Sequence, residues 1–195
     1  MSRRGEAEQE DLFGAPQQPR MPDGFRYQSD ILTADEERAL LALIEPLPFK
    51  EFEFQGFVGK RRVVSFGWKY DFNLRRLEES RAIPDFLVPV RETAARFAGM
   101  TPDDLQQILI TEYSPGAGIG WHRDKGEFGQ IVGLSLLAAC TFRLRRKRGA
   151  SWDRASIVAE PRSAYLMSGP SRSEWEHSIP PVDALRYSIT LRNLR

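Results

Sequence analysis

Arg186-Tyr187-Ser188-Ile189-Thr190-Leu191-Arg192, close to the C-terminus, alternates polar residues with apolar or aromatic ones. Successive side chains of an extended chain project to opposite faces, so Arg186, Ser188, Thr190 and Arg192 share one side. Tyr187, Ile189 and Leu191 occupy the other. If this strand belongs to a small sandwich, two guanidinium groups point inward, which is costly unless an anion meets them. A dicarboxylate fits that need, because guanidinium forks hold carboxylates through paired hydrogen bonds. A solvent-facing edge strand with two surface arginines is the simpler alternative, and the strand alone leaves it open.

Upstream, strand-like runs recur over Ile108–Tyr113, Ile131–Leu137, Ala139–Arg145, Ser156–Glu160 and Ser163–Met167, ending with Leu185–Leu194. Helical periodicity precedes them. Thr33-Ala34-Asp35-Glu36 is a capping box, and the helix it opens carries Leu40, Leu41, Leu43 and Ile44 on its buried side before Pro46 stops it. A second helix is predicted from Asp85 to Phe97, with Pro89 in its first turn and Gly99 as its stop. Thr101-Pro102 caps a short turn. Between the helices, Phe49 to Tyr70 alternates through Phe52, Phe54, Val64, Phe66 and Trp68, broken by Gly56 and Gly59, and reads as a hairpin. Helices ahead of many short strands predict an α+β domain dominated by an antiparallel sandwich or barrel.

The 195 residues suit one domain. A formal net charge of +1 gives no global argument for nucleic-acid binding and leaves room for a local basic patch. The single cysteine, Cys140, excludes an internal disulfide framework, suits a reducing compartment and reads as a small buried hydrophobe. Residues 1–24 read as a disordered leader rather than a secretory signal, since they lack an apolar stretch. No membrane-spanning stretch stands out, so the expected location is the cytoplasm, and the expected state a monomer.

The chain has two histidines. His122 stands two positions before Asp124, and residues at that spacing on a strand end project to the same side. With His177 brought in from a distant strand, two imidazoles and one carboxylate would cover one face of an octahedron. Three positions then stay open, which is the arrangement of non-haem iron(II) oxygenases. Unrelated histidines and a zinc hydrolase site are the alternatives, and the triad alone decides among none of them.

In order, the motifs resemble those of the AlkB-type 2-oxoglutarate oxygenases. Thr111-Glu112-Tyr113-Ser114-Pro115-Gly116 leads through Gly120-Trp121 to His122-Arg123-Asp124. Leu134-Ser135-Leu136 follows, then Ser168-Gly169-Pro170, Trp175-Glu176-His177-Ser178-Ile179, and Arg186 to Arg192. The likeness runs over residues 25–195. It implies a double-stranded β-helix (jelly-roll) core with helices packed on one side, and iron(II), 2-oxoglutarate and dioxygen as metal and co-substrates. Carried over by position, His122, Asp124 and His177 would hold iron. Arg186 and Tyr113 would hold the distal carboxylate of 2-oxoglutarate beside Ser188, and Arg192 would lie near the chelating carboxylate. Thr111 and Ser188 stand where the family commonly has Asn.

The same likeness implies oxidative demethylation of N-alkylated nucleobases in DNA or RNA, with succinate, carbon dioxide and formaldehyde released. A protein or small-molecule substrate, and a non-catalytic nucleic-acid-binding module, are the rival readings. Residues 49–72 correspond to a substrate-recognition lid, offering Lys60, Arg61 and Arg62 for phosphate and Phe66, Trp68 and Tyr70 for stacking. Gly126 occupies the place of the family's base-reading acid, with Glu127 one residue later as its substitute. The run Arg143-Leu144-Arg145-Arg146-Lys147-Arg148 is either a second backbone-binding patch or a solvated hairpin tip.

Overall fold

Thr33 caps the first helix as its sequence requires. Its hydroxyl accepts the Glu36 N–H at 3.2 Å, and Glu36 Oε2 accepts from the Thr33 N–H at 2.7 Å. The helix α1 (Ala34–Ile44) buries Leu40 and Ile44, together with Glu37, while Leu43 faces solvent at 49% exposure. The expectation that Leu43 shares the buried side therefore fails: its helical angle carries it off the Leu40–Ile44 stripe. α2 (Val88–Ala98) follows a single 3-10 turn, Asp85–Leu87, with Pro89 near its start, where a missing N–H costs no hydrogen bond. Gly99 closes it at φ +72°, a left-handed conformation that favours glycine.

This computed structural model describes residues 21–54, 57–71 and 74–195. The leader expected over residues 1–24 lies almost wholly outside them, as does the hairpin break at Gly56. The described strands are β1 (Phe25–Gln28), β2 (Lys50–Phe54), β3 (Phe57–Asp71), β4 (Arg76–Glu79), β5 (Gln107–Tyr113) and β6 (Ile119–His122). They continue with β7 (Phe128–Leu136), β8 (Cys140–Arg148), β9 (Ser151–Ala159), β10 (Ser163–Met167), β11 (Glu176–Ile179) and β12 (Arg186–Leu194). A short helix, α3 (Gly169–Ser173), leads into β11.

Two antiparallel sheets result. The larger runs β1-β10-β7-β12-β5-β3-β2, with β4 added beside β3, and the smaller runs β6-β11-β8-β9. β12 is thus central, paired with β7 on one side and β5 on the other. That removes the edge-strand alternative for its arginines. Tyr187, Ile189 and Leu191 pack toward α1 and α2 with Ile108, Ile110 and Leu134. Between the sheets lies a second core built on Phe142, Leu144, Ile131, Tyr165 and Met167, with Cys140 buried among them. The architecture is a double-stranded β-helix with a helical layer on one side. No helix among the described residues is long and apolar enough to cross a membrane.

The 49–70 hairpin is more than an appendage. Arg61 to Gly67 of β3 pair residue by residue with β5, so half of the hairpin is a strand of the large sheet. β1, β4, β6 and β11 carry no alternation long enough to be read from sequence. Each has four residues, and its partners rather than its own pattern define it.

Candidate active site

His122 ends β6, and His177 stands directly opposite it on β11. Asp124 follows the end of β6, and ligand atoms of all three residues lie within 4.8 Å of one another. Nε2 of His122 is 3.5 Å from Asp124 Oδ1, and Nε2 of His177 is 3.8 Å from the same oxygen. The other nitrogen of His122, Nδ1, lies 2.9 Å from the Gly120 carbonyl oxygen. A proton on Nδ1 donates there and leaves the Nε2 lone pair turned to the cluster. His177 is packed against the Phe142 ring at 5.5 Å between centroids.

Electrostatics prepares the same groups for a cation. Burial pushes the His177 pKa down to about 3, helped by the neighbouring His122, so the imidazole is neutral and its lone pair available. Burial pushes the Asp124 carboxyl up, but the Arg192 guanidinium and both imidazoles outweigh it and hold it well below the usual range. Two imidazoles and one carboxylate converge on one point, a donor set that fits a metal ion bound on one face. Arg192 Nε donates to Asp124 Oδ2 at 2.7 Å, and its Nη1 donates to Gln107 Oε1 at 2.7 Å. Arg172 braces the following turn: its guanidinium donates to the carbonyls of Gly129, Lys125 and Phe128 at 2.6–2.9 Å.

A second unmet need lies deeper. Arg186 is fully buried, and only its Nη2 finds a partner, the Ser135 hydroxyl at 3.1 Å. Nε and Nη1 have none among the described residues. A buried cation with two idle donors is expensive, and a carboxylate completes it. The guanidinium stands 5.0 Å from the Tyr113 ring centroid; Tyr113 lines the cavity that the triad also lines, while Arg186 itself is outside that lining. Thr111 and Ser188, opposite each other in the β5–β12 register, line it as well. The cavity measures about 920 Å³ and takes in Tyr113, Thr111 and Ser188 together with the triad.

A family model described as the 2OG-Fe(II) oxygenase superfamily matches residues 25–192. The chain belongs to that superfamily. Its members use iron(II), 2-oxoglutarate and dioxygen, and the triad and Arg186 supply fitting donors for the first two. Within the superfamily the chain is AlkB-like. It is 27% identical over 194 residues to "Alkylated DNA repair protein ALKBH8 homolog" of Arabidopsis thaliana, covering 85% of this chain and 54% of that protein. It is also 27% identical over 168 residues to "tRNA (carboxymethyluridine(34)-5-O)-methyltransferase alkbh8" of Xenopus tropicalis, covering 84% of this chain and 26% of that one. The chain therefore spans about half, or about a quarter, of the length of these relatives. Among solved structures OsALKBH1 shares the fold, with a TM-score of 0.71 at 14% identity over 89% of this chain and 98% of that one.

The residues expected to read substrate are not all gathered at this oxygenase site. Tyr70 is on the cavity wall, where the Lys125 ammonium lies 5.0 Å from its ring. Phe66 is 5% exposed and part of the core against the helices, and Trp68 follows it outside the cavity lining. Arg62 lies on that same far side, where Nε and Nη2 each donate to Glu112 at 2.8 Å. Glu127 does not line the cavity; its backbone carbonyl accepts the Arg195 N–H. The parity of β3 explains the misplacement. Val64 and Phe66 face the core, so the odd positions Arg61, Val63 and Ser65 face the cavity. Gln107, Ser135 and Arg172 carry no signal in the sequence, whereas Arg61, offered there as one of three phosphate cations, is marked for the cavity by its offset from that apolar face.

Proposed function

We propose that the protein is an iron(II)- and 2-oxoglutarate-dependent dioxygenase that demethylates N-alkylated bases in DNA or RNA. The observation that carries this reading is the cavity beside the triad. It is large enough for one base turned out of its stack, and Lys50, Lys69, Arg81, Arg123 and Lys125 line it. Such a rim suits the phosphates on either side of an extruded nucleotide. The relatives whose names refer to alkylated DNA and to tRNA support the same substrate class.

His122, Asp124 and His177 would hold the iron, and Arg186 with Tyr113, Ser188 and Thr111 would hold 2-oxoglutarate. When bound, iron and 2-oxoglutarate supply the oxidising power: dioxygen gives one atom to succinate and one to a substrate C–H bond. The protein's residues do the rest. Arg192 fixes the carboxylate plane of Asp124, the Gly120 carbonyl fixes the tautomer of His122, and the apolar wall around Phe142 and Ile131 keeps water out. An N-methyl group oxidised there becomes N-hydroxymethyl. Its C–N bond breaks to release formaldehyde, and the ring nitrogen keeps the electron pair and takes the hydroxyl proton.

The test uses oligonucleotides carrying single N-methylated bases, with succinate, formaldehyde and the mass of the oligonucleotide measured together. Wild-type protein should release all three signals in step, and Asp124→Ala none. Succinate without loss of any methyl group would turn the assignment to a protein or small-molecule substrate. No succinate under any condition would leave a nucleic-acid-binding module.

A further inference from the structure

Arg61 is a cation in the wall of the cavity that the described residues leave unmatched. It projects from β3 opposite Tyr113 of β5, is half-buried, and lines the cavity that His122 and Asp124 also line. One face of its guanidinium lies on the Phe52 ring, 3.9 Å from the centroid. No described hydrogen bond or ion pair engages its N–H groups. The surrounding arginines differ: Arg62 is paired with Glu112, Arg192 with Asp124, and Arg172 with three carbonyls. Burial pulls the Arg61 pKa below its ordinary value, with Tyr113 and Asp124 opposing, and the group remains a cation at neutral pH.

Little in the cavity offsets that charge. Asp124 is already engaged by Arg192. Glu127 is absent from the lining, and Gly126 offers no side chain. Glu51 is exposed and Asp71, which has contacts of its own, is half-buried beside Lys69 on the outer wall. A base entering the site would meet a desolvated guanidinium with idle donors. Bases such as 3-methylcytosine and 1-methyladenine are themselves cations at neutral pH, and like charges at close quarters in a desolvated site repel strongly. Uracil and thymine methylated at N3, and guanine methylated at N1, stay uncharged and present ring carbonyls as acceptors.

We infer that Arg61 makes this site select uncharged, carbonyl-bearing alkylated bases over cationic ones, an inference that rests on the nucleobase reading above. Its N–H edge donates to the ring carbonyl while Phe52 holds the guanidinium plane.

The deciding pair of probes is 3-methyluracil and 3-methylcytosine, nearly identical in shape and different in charge. Each is placed in the same single-stranded oligonucleotide, so that phosphate contacts cancel. Competition binding to the full chain under anaerobic conditions gives the ratio of the two Kd values. Wild-type protein should favour 3-methyluracil by about tenfold or more, about 1.4 kcal/mol. Arg61→Gln should bring the ratio close to one, and Arg61→Glu should invert it. Both ratios are internal to one preparation, so a partly misfolded variant does not distort them, and the wild-type ratio stands if neither variant folds. Equal affinity, a preference for 3-methylcytosine, or a ratio that survives Arg61→Gln would overturn the inference. Parallel turnover separates the two readings. Efficient oxidation of 3-methylcytosine overturns the selectivity alone, whereas oxidation of no base at all removes the nucleobase reading and this inference with it.

Discussion

Arg192 and Asp124, which are 68 positions apart in the chain, meet through a 2.7 Å hydrogen bond from Nε to Oδ2. Both side chains are about nine-tenths buried. Asp124 thus divides its labour: Oδ2 is held by the last strand of the large sheet, and Oδ1 faces the two imidazoles. Replacing Arg192 with Met should leave the carboxylate free to rotate and raise its pKa. Iron(II) affinity, measured by anaerobic titration, is expected to fall about 10- to 100-fold, the usual effect of losing a partner that orients a ligand. Unchanged affinity would show that Arg192 serves another purpose.

Arg186 predicts a separation of iron and 2-oxoglutarate binding. Arg186→Met removes a buried charge whose Nε and Nη1 are unpartnered, so the free protein should be no less stable than wild type. At 2-oxoglutarate concentrations about 100 times its Kd, the co-substrate should stabilise wild-type protein by about 2.7 kcal/mol. The variant should show no such gain in its thermal unfolding, while its iron titration stays normal. A gain equal to that of wild type would refute the assigned role.

His177 gives the metal-free protein a pH dependence whose sign can be worked out. Its native pKa lies near 3 because it is buried, against an ordinary 6.5 in the unfolded chain. Between those values the unfolded state binds the extra proton, so stability rises with pH and is lost as pH falls from 6.5 toward 3. Denaturant unfolding should therefore lose about 2 kcal/mol between pH 6.5 and pH 5. His177→Gln cannot titrate there and should flatten this part of the profile.

Arg172 is expected to act on the metal site through the backbone. Arg172→Met would strand the carbonyls of Lys125, Phe128 and Gly129, and should cost about 3 kcal/mol of stability. The turn after Asp124 would loosen, so iron affinity should fall with it. Arg172→Lys, which reaches fewer carbonyls, should restore stability only in part. Rescue to wild-type levels by lysine would mean that charge rather than the three-way clamp matters.

Arg62 supplies the contrasting case. It faces away from the cavity and is bound to Glu112, which also accepts from the Tyr187 hydroxyl at 3.0 Å. Arg62→Met should lower stability by about 1 kcal/mol, given its half-exposed position. Oligonucleotide affinity should not change. A weakened complex with unaltered stability would place Arg62 on the substrate after all.

How far the sequence could be read depended on the range of the forces involved. The capping box at Thr33, the left-handed stop at Gly99 and the alternation of β12 are set by neighbours a few residues apart, and each was legible. The convergence of His122, Asp124 and His177 was suggested by motif order and given its geometry by the pairing of β6 with β11. Inward arginines on β12 were legible as a pattern, but only the strand's central place between β7 and β5 excludes an exposed edge. That place also separates the two: Arg186 keeps two donors without a partner among the described residues, while Arg192 donates its Nε to Asp124.

The hairpin marks the boundary most clearly. Its alternation and its cations stand in the sequence, which therefore determined a strand with two unlike faces. Which face looks into the cavity is a matter of what lies against each side. β3 pairs with β5 and turns Val64 and Phe66 toward the helices, and that burial of apolar surface leaves Arg61 facing the site and Arg62 facing Glu112. The sequence by itself settled local geometry and the kinds of donor available. The tertiary structure decided which donors meet, because long-range strand pairing and the burial it brings have no counterpart in a run of neighbouring residues.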